Sequence, residues 1–127
     1  MSNLSIFIGS RVLITGHTGF KGSWLSLWLN QLGAEVYGIS LDPPSEPSHF
    51  VAADLASQIR DYRIDIRDSA SLNDLVEKIQ PDFVFHLAAQ ALVRPAYTNP
   101  TDTWQTNTIG TINVLESLRL LKCPCVA

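Results

Sequence analysis

The sequence predicts an α/β fold in which a parallel sheet is covered by helices on both sides, and three observations carry that prediction. Short apolar runs alternate along the chain with longer segments of helical periodicity. The first apolar run, Val12-Leu13-Ile14-Thr15, passes directly into Gly16-His17-Thr18-Gly19-Phe20-Lys21-Gly22, a turn suited to close backbone approach. A later run, Asp82 to Ala89, is apolar enough to be buried on both faces, as a central parallel strand must be.

Each element follows from its residues. The first strand is Arg11 to Thr15, and a helix runs roughly from Lys21 to Leu32. Trp24, Leu25, Trp28, Leu29 and Leu32 recur on one face of that helix and are expected to pack in the core. Gly33 stops it. Glu35 to Leu41 is the second strand, and Asp42-Pro43-Pro44-Ser45-Glu46-Pro47-Ser48 breaks it into a surface loop. A short helical stretch through His49 to Leu55 leads to a third strand at Tyr62-Arg63-Ile64-Asp65. Ser69 is expected to cap a helix reaching about Ile79, which Pro81 ends. Asp82 to Ala89 is the fourth strand, a helix spans roughly Thr101 to Leu121, and Cys123 to Ala127 begins a fifth strand. With right-handed crossovers these give a Rossmann-like doubly wound parallel sheet in the order 3-2-1-4-5, truncated at the start of its fifth strand.

Composition bounds the function. A chain of 127 residues is one domain with room for a core, and 46% hydrophobic residues exclude disorder. No apolar run is long enough to span a bilayer, and Met1-Ser2-Asn3 lacks the basic start of a secretory signal, so a cytoplasmic place and no membrane partner are expected. A net charge of −3 argues against nucleic acid as a main partner. Cys123 and Cys125 share a strand face without the ligand set of a metal site; they read as buried thiols in a reducing compartment, and no metal is expected.

The glycine turn carries the chemistry. Gly16 permits the turn at the strand end, Gly19 lets the backbone approach a diphosphate, and Gly22 lets the next helix pack closely. The unpaired N–H groups of that helix's first turn then face the anion. Such a site wants a carboxylate about 20 residues on, at the end of the second strand, to accept from a ribose diol. Asp42 stands there. A carboxylate at that point repels a 2′-phosphate, which favours NAD over NADP; the other reading is that Asp42 only opens the proline turn.

Taken with the glycine turn, Asp65-Ile66, Leu87-Ala88-Ala89-Gln90 and Thr106-Asn107-x-x-Gly110-Thr111 resemble the extended short-chain dehydrogenase/reductases. Within them, Gly16 to Leu25 with Ser40-Leu41-Asp42-Pro43-Pro44 is similar to the nucleotide-sugar 4,6-dehydratases that act on CDP-glucose, where His17 and Lys21 replace the small or apolar residues of most relatives. The resemblance implies that Phe20 and Lys21 meet the diphosphate. It implies that Asp65 accepts from the adenine amino group beside Ile66, and that Leu87, Ala88 and Ala89 let the cofactor lie against the backbone. Gln90 and Thr106 would reach the nicotinamide-side ribose, and Asn107 would fix backbone or water from within its helix. His17, Thr18 and the three glycines complete the implied NAD site. Lys21 also fits a solvated first-turn lysine, and Asp65 a carboxylate that caps the next turn.

Other polar residues read more plainly. His86 is expected to be a core histidine, Arg94 either faces a substrate phosphate or forms a surface ion pair, and Arg60, Asp61, Arg63, Arg67 and Asp68 form a solvated face. The family's chemistry needs a tyrosine followed four residues later by a lysine that lowers the phenol's pKa. Tyr37, Tyr62 and Tyr97 are followed there by Leu41, Ile66 and Thr101. The chain is therefore expected to be the N-terminal, NAD-binding part of a larger enzyme, without the catalytic pair and the substrate-binding region. The whole enzyme would convert CDP-glucose to CDP-4-dehydro-6-deoxyglucose, a deoxysugar precursor for surface polysaccharide. An epimerase or reductase on the same scaffold, or a silent NAD-sensing module, shares these motifs. An exposed fourth-strand edge also predicts self-association into a homo-oligomer.

Overall fold

The computed structural model describes residues 3–122 and 124–127. Four strands, β1 (Arg11–Thr15), β2 (Glu35–Ser40), β3 (Arg60–Arg63) and β4 (Phe83–His86), form one sheet in the order β3-β2-β1-β4, and every pair is parallel. Ile14 at the centre pairs with Gly38 on one side and Phe85 on the other. Helix α1 (Phe20–Gln31) follows β1, the short α2 (His49–Ala52) follows β2, and α3 (Ser69–Ile79) follows β3. After β4 come α4 (Val93–Thr98), α5 (Pro100–Trp104), a π-helical segment (Gln105–Ile109) and α6 (Gly110–Arg119). Two apolar layers enclose the sheet. Leu13, Ile39, Leu72, Val76, Val84 and Val114 pack beneath α3 and α6, while Val12, Ile14, Leu29 and Val36 pack toward α1. This is the doubly wound α/β fold the alternation of elements predicts.

Several elements differ in detail. Trp24 and Trp28 lie outside the core, 51% and 53% exposed; α1 instead buries Gly22, Ser23, Ser26 and Leu29. The reason is closeness of approach. A Cβ on Gly22 would sit 2.7 Å from the Gly16 carbonyl carbon, so only small residues fit between α1 and the glycine turn. The buried hydroxyls are satisfied within the helix, Ser26 Oγ donating to Gly22 O at 2.7 Å and Ser23 Oγ to Phe20 O at 3.0 Å. Trp24 stacks on the His49 ring at 3.9 Å. Leu29 is buried and Leu25 and Leu32 pack against the same apolar layer, so the leucine edge of the periodic face meets the sheet and its tryptophan edge turns away.

Strand β3 is Arg60–Arg63, two residues earlier than the apolar pattern suggests, because pairing with β2 sets its register. Asp68 rather than Ser69 caps α3, its carboxylate accepting from Ser71 N at 3.2 Å. β4 stops at His86 and is only half-buried at Phe83 and Phe85, as suits an outer strand. The helix expected over 101–121 is broken by the π segment, and α4 precedes it where no element was expected. The fifth strand is present as a single parallel bridge, Phe83 to Val126, with Val84 N donating to Val126 O at 2.8 Å. Cys123 lies outside the described residues; Cys125 is half-buried beside the bridge, not a strand thiol, and burial pushes its thiol pKa up.

Candidate functional site

A cleft of about 360 Å³ opens at the carboxyl ends of the strands, where the sheet order reverses between β1 and β4. Gly16, Thr18, Gly19, Asp42, Asp65, Ile66, Leu87, Ala88, Ala89 and Thr106 line it, together with Ser40, Leu41, Pro44 and Ile64, which sequence reasoning did not single out as site residues. The structure thus brings ten of the sixteen candidates to one wall set. His17, Phe20, Lys21, Gly22, Gln90 and Asn107 stand outside the lining.

The glycine turn is shaped by steric need. Gly16 has φ +78°, and a Cβ there would meet Ala88 N at 2.7 Å. The turn is tied to both neighbouring strands: Gly16 N donates to Ile39 O at 2.8 Å, and Thr15 O accepts from Leu87 N at 3.0 Å. Thr18, buried, bonds Ser40 Oγ at 2.8 Å and Leu41 O at 3.0 Å, holding the turn against the end of β2. Gly19 begins α1 in extended backbone with no side-chain cap, so the first-turn N–H groups are left for a ligand. Phe20 and Lys21 are exposed on that first turn.

His17 behaves differently from its neighbours. Its ring is fully buried, and Nε2 meets Asp61 Oδ1 at 2.6 Å while Nδ1 has no hydrogen-bond partner among the described residues. It lies edge-on to Phe50 at 5.4 Å and fills the space above Gly38. Burial lowers its pKa, opposed in part by Asp61. Asp61 therefore does not belong to a solvated face. Asp61 and Arg63 point to the same side of β3, and Arg63 donates to Asp61 Oδ2 at 3.0 Å, to Leu41 O at 3.0 Å and to Asp42 Oδ1 at 3.4 Å. Spacing of two within β3 was the available signal, obscured by the register.

On the other side of the cleft a chain of hydrogen bonds fixes its own proton positions. Thr15 Oγ1 accepts from Leu87 N and Ala88 N, both at 3.1 Å, so its proton goes to His86 Nδ1 at 2.6 Å. His86 Nε2–H then donates to Thr111 Oγ1 at 2.8 Å, and Thr111 donates to Asn107 O at 2.7 Å. Burial lowers the pKa of His86, in keeping with a neutral ring that accepts at Nδ1. His86 has both ring nitrogens satisfied, as expected, but it is half-buried at the end of β4 and not in the core. Asn107 exchanges two bonds with the Gln90 backbone, Gln90 N to Oδ1 at 2.8 Å and Nδ2 to Gln90 O at 3.0 Å. The Gln90 amide is itself engaged with Leu92 and Thr103. Both residues fasten the loop after β4 to the π segment that presents Thr106, and π segments are frequent at functional sites.

The two carboxylates of the cleft have opposite surroundings. Asp42 is 94% exposed beyond the end of β2 and, among the described residues, held only by Arg63. Asp65 is gripped by Arg67, whose hydrogen bonds hold its pKa below the usual carboxylate range. Arg67 also pairs with Asp102 at 2.5 Å, so it too is structural rather than merely solvated. Arg94 is exposed on α4 and, among the described residues, forms no ion pair. The cleft as a whole offers helix-terminus N–H donors, small backbone-facing residues and two acceptors at successive strand ends, a set suited to a dinucleotide.

A family model described as GDP-mannose 4,6 dehydratase matches residues 13–126. The CDP-glucose 4,6-dehydratase of Salmonella typhimurium is 45% identical over 119 residues, covering 94% of this chain and 33% of that protein. A GDP-mannose 4,6-dehydratase of Vibrio cholerae is 36% identical over 118 residues, covering 87% of this chain and 32% of that protein. Among solved structures, the Thermus thermophilus UDP-glucose 4-epimerase complex with NAD superposes with a TM-score of 0.75 at 29% identity, over 86% of this chain and 33% of that one. The chain spans about a third of the length of the curated relatives it matches.

Proposed function

The chain belongs to the GDP-mannose 4,6-dehydratase family, and from that premise we propose that it is the NAD-binding part of a nucleotide-sugar 4,6-dehydratase acting on CDP-glucose. The observation that carries the proposal is the cleft itself, with the glycine turn, an exposed Asp42 and the Asp65-Ile66 pair on one continuous wall. The preference for CDP-glucose rests on the 45% identity to the Salmonella enzyme against 36% to the Vibrio one. The preference for NAD rests on the Asp42 carboxylate, and the epimerases of Thermus thermophilus and Brucella ovis in complex with NAD support it.

In this reading Gly16, Gly19 and Gly22 shape the diphosphate seat under the first-turn N–H groups of α1, with Phe20 and Lys21 at its rim and His17 and Thr18 fixing the turn's backbone. Asp42 accepts from the adenosine ribose, Asp65 from the adenine amino group, and Ile66 flanks the ring. Leu87, Ala88 and Ala89 leave the cofactor lying against backbone, and Thr106 reaches the second ribose. Gln90 and Asn107, both engaged with the loop, position Thr106 rather than touch the ribose. Bound NAD supplies a hydride acceptor at the sugar's C4 and a donor at C6, so that water is lost and no net oxidation remains. This chain's residues bind and orient; the base that takes the sugar proton is assigned to the remainder of the whole protein.

The test is to supply the whole natural protein with CDP-glucose and follow the product by mass spectrometry. Loss of one water supports the dehydratase. Interconversion without a change of mass would make it an epimerase, and NAD binding without turnover a sensing module.

A further inference from the structure

His86 is the last residue of β4 and stands outside the cleft lining, yet its ring joins two parts of that lining. One is the backbone of Leu87 and Ala88, whose N–H groups both donate to Thr15 Oγ1. The other is the π segment that presents Thr106. Thr15 Oγ1 donates to His86 Nδ1 at 2.6 Å; across the ring, Nε2–H donates to Thr111 Oγ1 at 2.8 Å, and that hydroxyl donates to Asn107 O at 2.7 Å. Each hydroxyl has one proton to give, so the chain runs in one direction and needs the ring's proton on Nε2.

The helical end of this chain bears on the cleft. Asn107 and Thr111 are about one turn apart and share a face of the helix, and that face is tied twice to the end of β4. Asn107 clasps the Gln90 backbone, Gln90 N donating to Oδ1 at 2.8 Å and Nδ2 donating to Gln90 O at 3.0 Å. Thr111 is held by His86. A π-helical turn is a rare form of backbone, and a hydroxyl bonded to a carbonyl one turn back, as Thr111 is to Asn107 O, bends a helix. With both ties made, the π segment has a fixed roll that carries Thr106 to the lining. With the clasp alone it can pivot about Asn107. Helix α6 stays fastened to the end of β3 in either case, because Asn113 Nδ2 donates to Ile66 O at 3.0 Å.

We propose that His86 is a positioning residue for the second-ribose end of the cleft: its Nε2–H, acting through Thr111, holds the π segment where Thr106 reaches that ribose. The inference rests on the reading of the cleft as a dinucleotide site and deepens it. The adenosine end is formed by the glycine turn and the ends of β2 and β3, on which the Thr111 bond does not act. Loss of the tie is therefore felt by the dinucleotide and not by its adenosine diphosphate half.

The experiment uses the whole natural protein, freed of retained nucleotide with charcoal, and titrates it by calorimetry with NAD and with ADP, which ends at the diphosphate. His86→Asn offers an amide oxygen in place of Nδ1 to accept from Thr15, but is too short to reach Thr111. Thr111→Val removes the hydroxyl at the other end of the same bond. Each is expected to weaken NAD binding by about tenfold, the upper end for one neutral hydrogen bond, and ADP binding by less than about twofold. Thr111→Ser keeps the hydroxyl and is expected to stay within about twofold of the native protein for both ligands. The double variant should lose no more than either single one, since both break one bond. Far-UV circular dichroism reports folding, and either single variant carries the test if the other does not fold. Equal losses of NAD and ADP, native NAD affinity in a folded variant, a Thr111→Ser protein as weak as Thr111→Val, or additive losses in the double variant each overturn the proposal. Failure of the native protein to bind NAD would instead overturn the dinucleotide reading.

Discussion

Replacing Gly38 by alanine puts the His17 arrangement to its most direct test. Gly38 is central in β2, and a Cβ there would lie 2.6 Å from His17 Nδ1, against the 3.5 to 4.0 Å or so of an ordinary contact. The ring cannot yield easily, for it is fully buried, packed edge-on to Phe50 and bonded to Asp61 at 2.6 Å. Overpacking of this kind costs about 1 to 3 kcal/mol. If the ring swings aside, loss of its bond to the carboxylate adds about 1.5 to 3 kcal/mol. The lower entropy of an unfolded chain with alanine returns about 0.4 to 1 kcal/mol. With the ring displaced, the net expectation is a destabilisation of about 1.5 to 5.5 kcal/mol, read from urea unfolding followed by far-UV circular dichroism. In a His17→Ala background the obstacle is gone, so Gly38→Ala should there be neutral or slightly stabilising. The reasoning is refuted if the alanine costs the same in both backgrounds, because the cost would then arise from the strand and not from the ring.

Other outcomes follow from the same structure. His17 and His86 both have pKa values lowered by burial, so below about pH 6.5 the unfolded chain binds protons that the folded one does not. The stability is present above that pH and lost as pH falls through it, by at most about 1.4 kcal/mol per pH unit for each histidine; urea midpoints at pH 7.5, 6.5 and 5.5 that do not move would contradict this. Asp42→Ser removes the carboxylate that repels a 2′-phosphate and frees Arg63, which donates to it at 3.4 Å. The ratio of NAD to NADP affinity should fall by about tenfold or more, and competition binding with an unchanged ratio would remove Asp42 from the ribose site. β4 is an outer strand of the sheet, bridged among the described residues only at Phe83, so this chain by itself is predicted to self-associate along that edge. A monomer in light scattering at high concentration would count against it.

The parts of this protein legible in its sequence are those set by local chemistry. Gly16 and Gly22 stand where backbone must pass backbone, and no other residue fits, so their spacing announces the turn before any packing is known. The alternation of strand and helix gave the layers, and Asp42 fell at the end of β2 because chain length from the glycine turn fixes that position. What was misread depended on distant partners. Trp24 and Trp28 have the periodicity of a core face, yet the need to bring α1 within reach of the glycine turn buries serines instead. Arg60 to Asp68 looks like alternating surface charge, yet the register of β3 on β2 carries Asp61 beneath His17. The split helix, the Asn107 clasp on Gln90 and the Arg67 fork are likewise invisible along the chain.

By itself, then, the sequence determined where the glycine turn and the strand ends facing it would lie, because the requirements of a turn and a strand end act over a few residues. Only the tertiary structure decided which side chains are free to touch a ligand and which hold others in place. That depends on register and helix roll, which the packing of the whole sheet fixes.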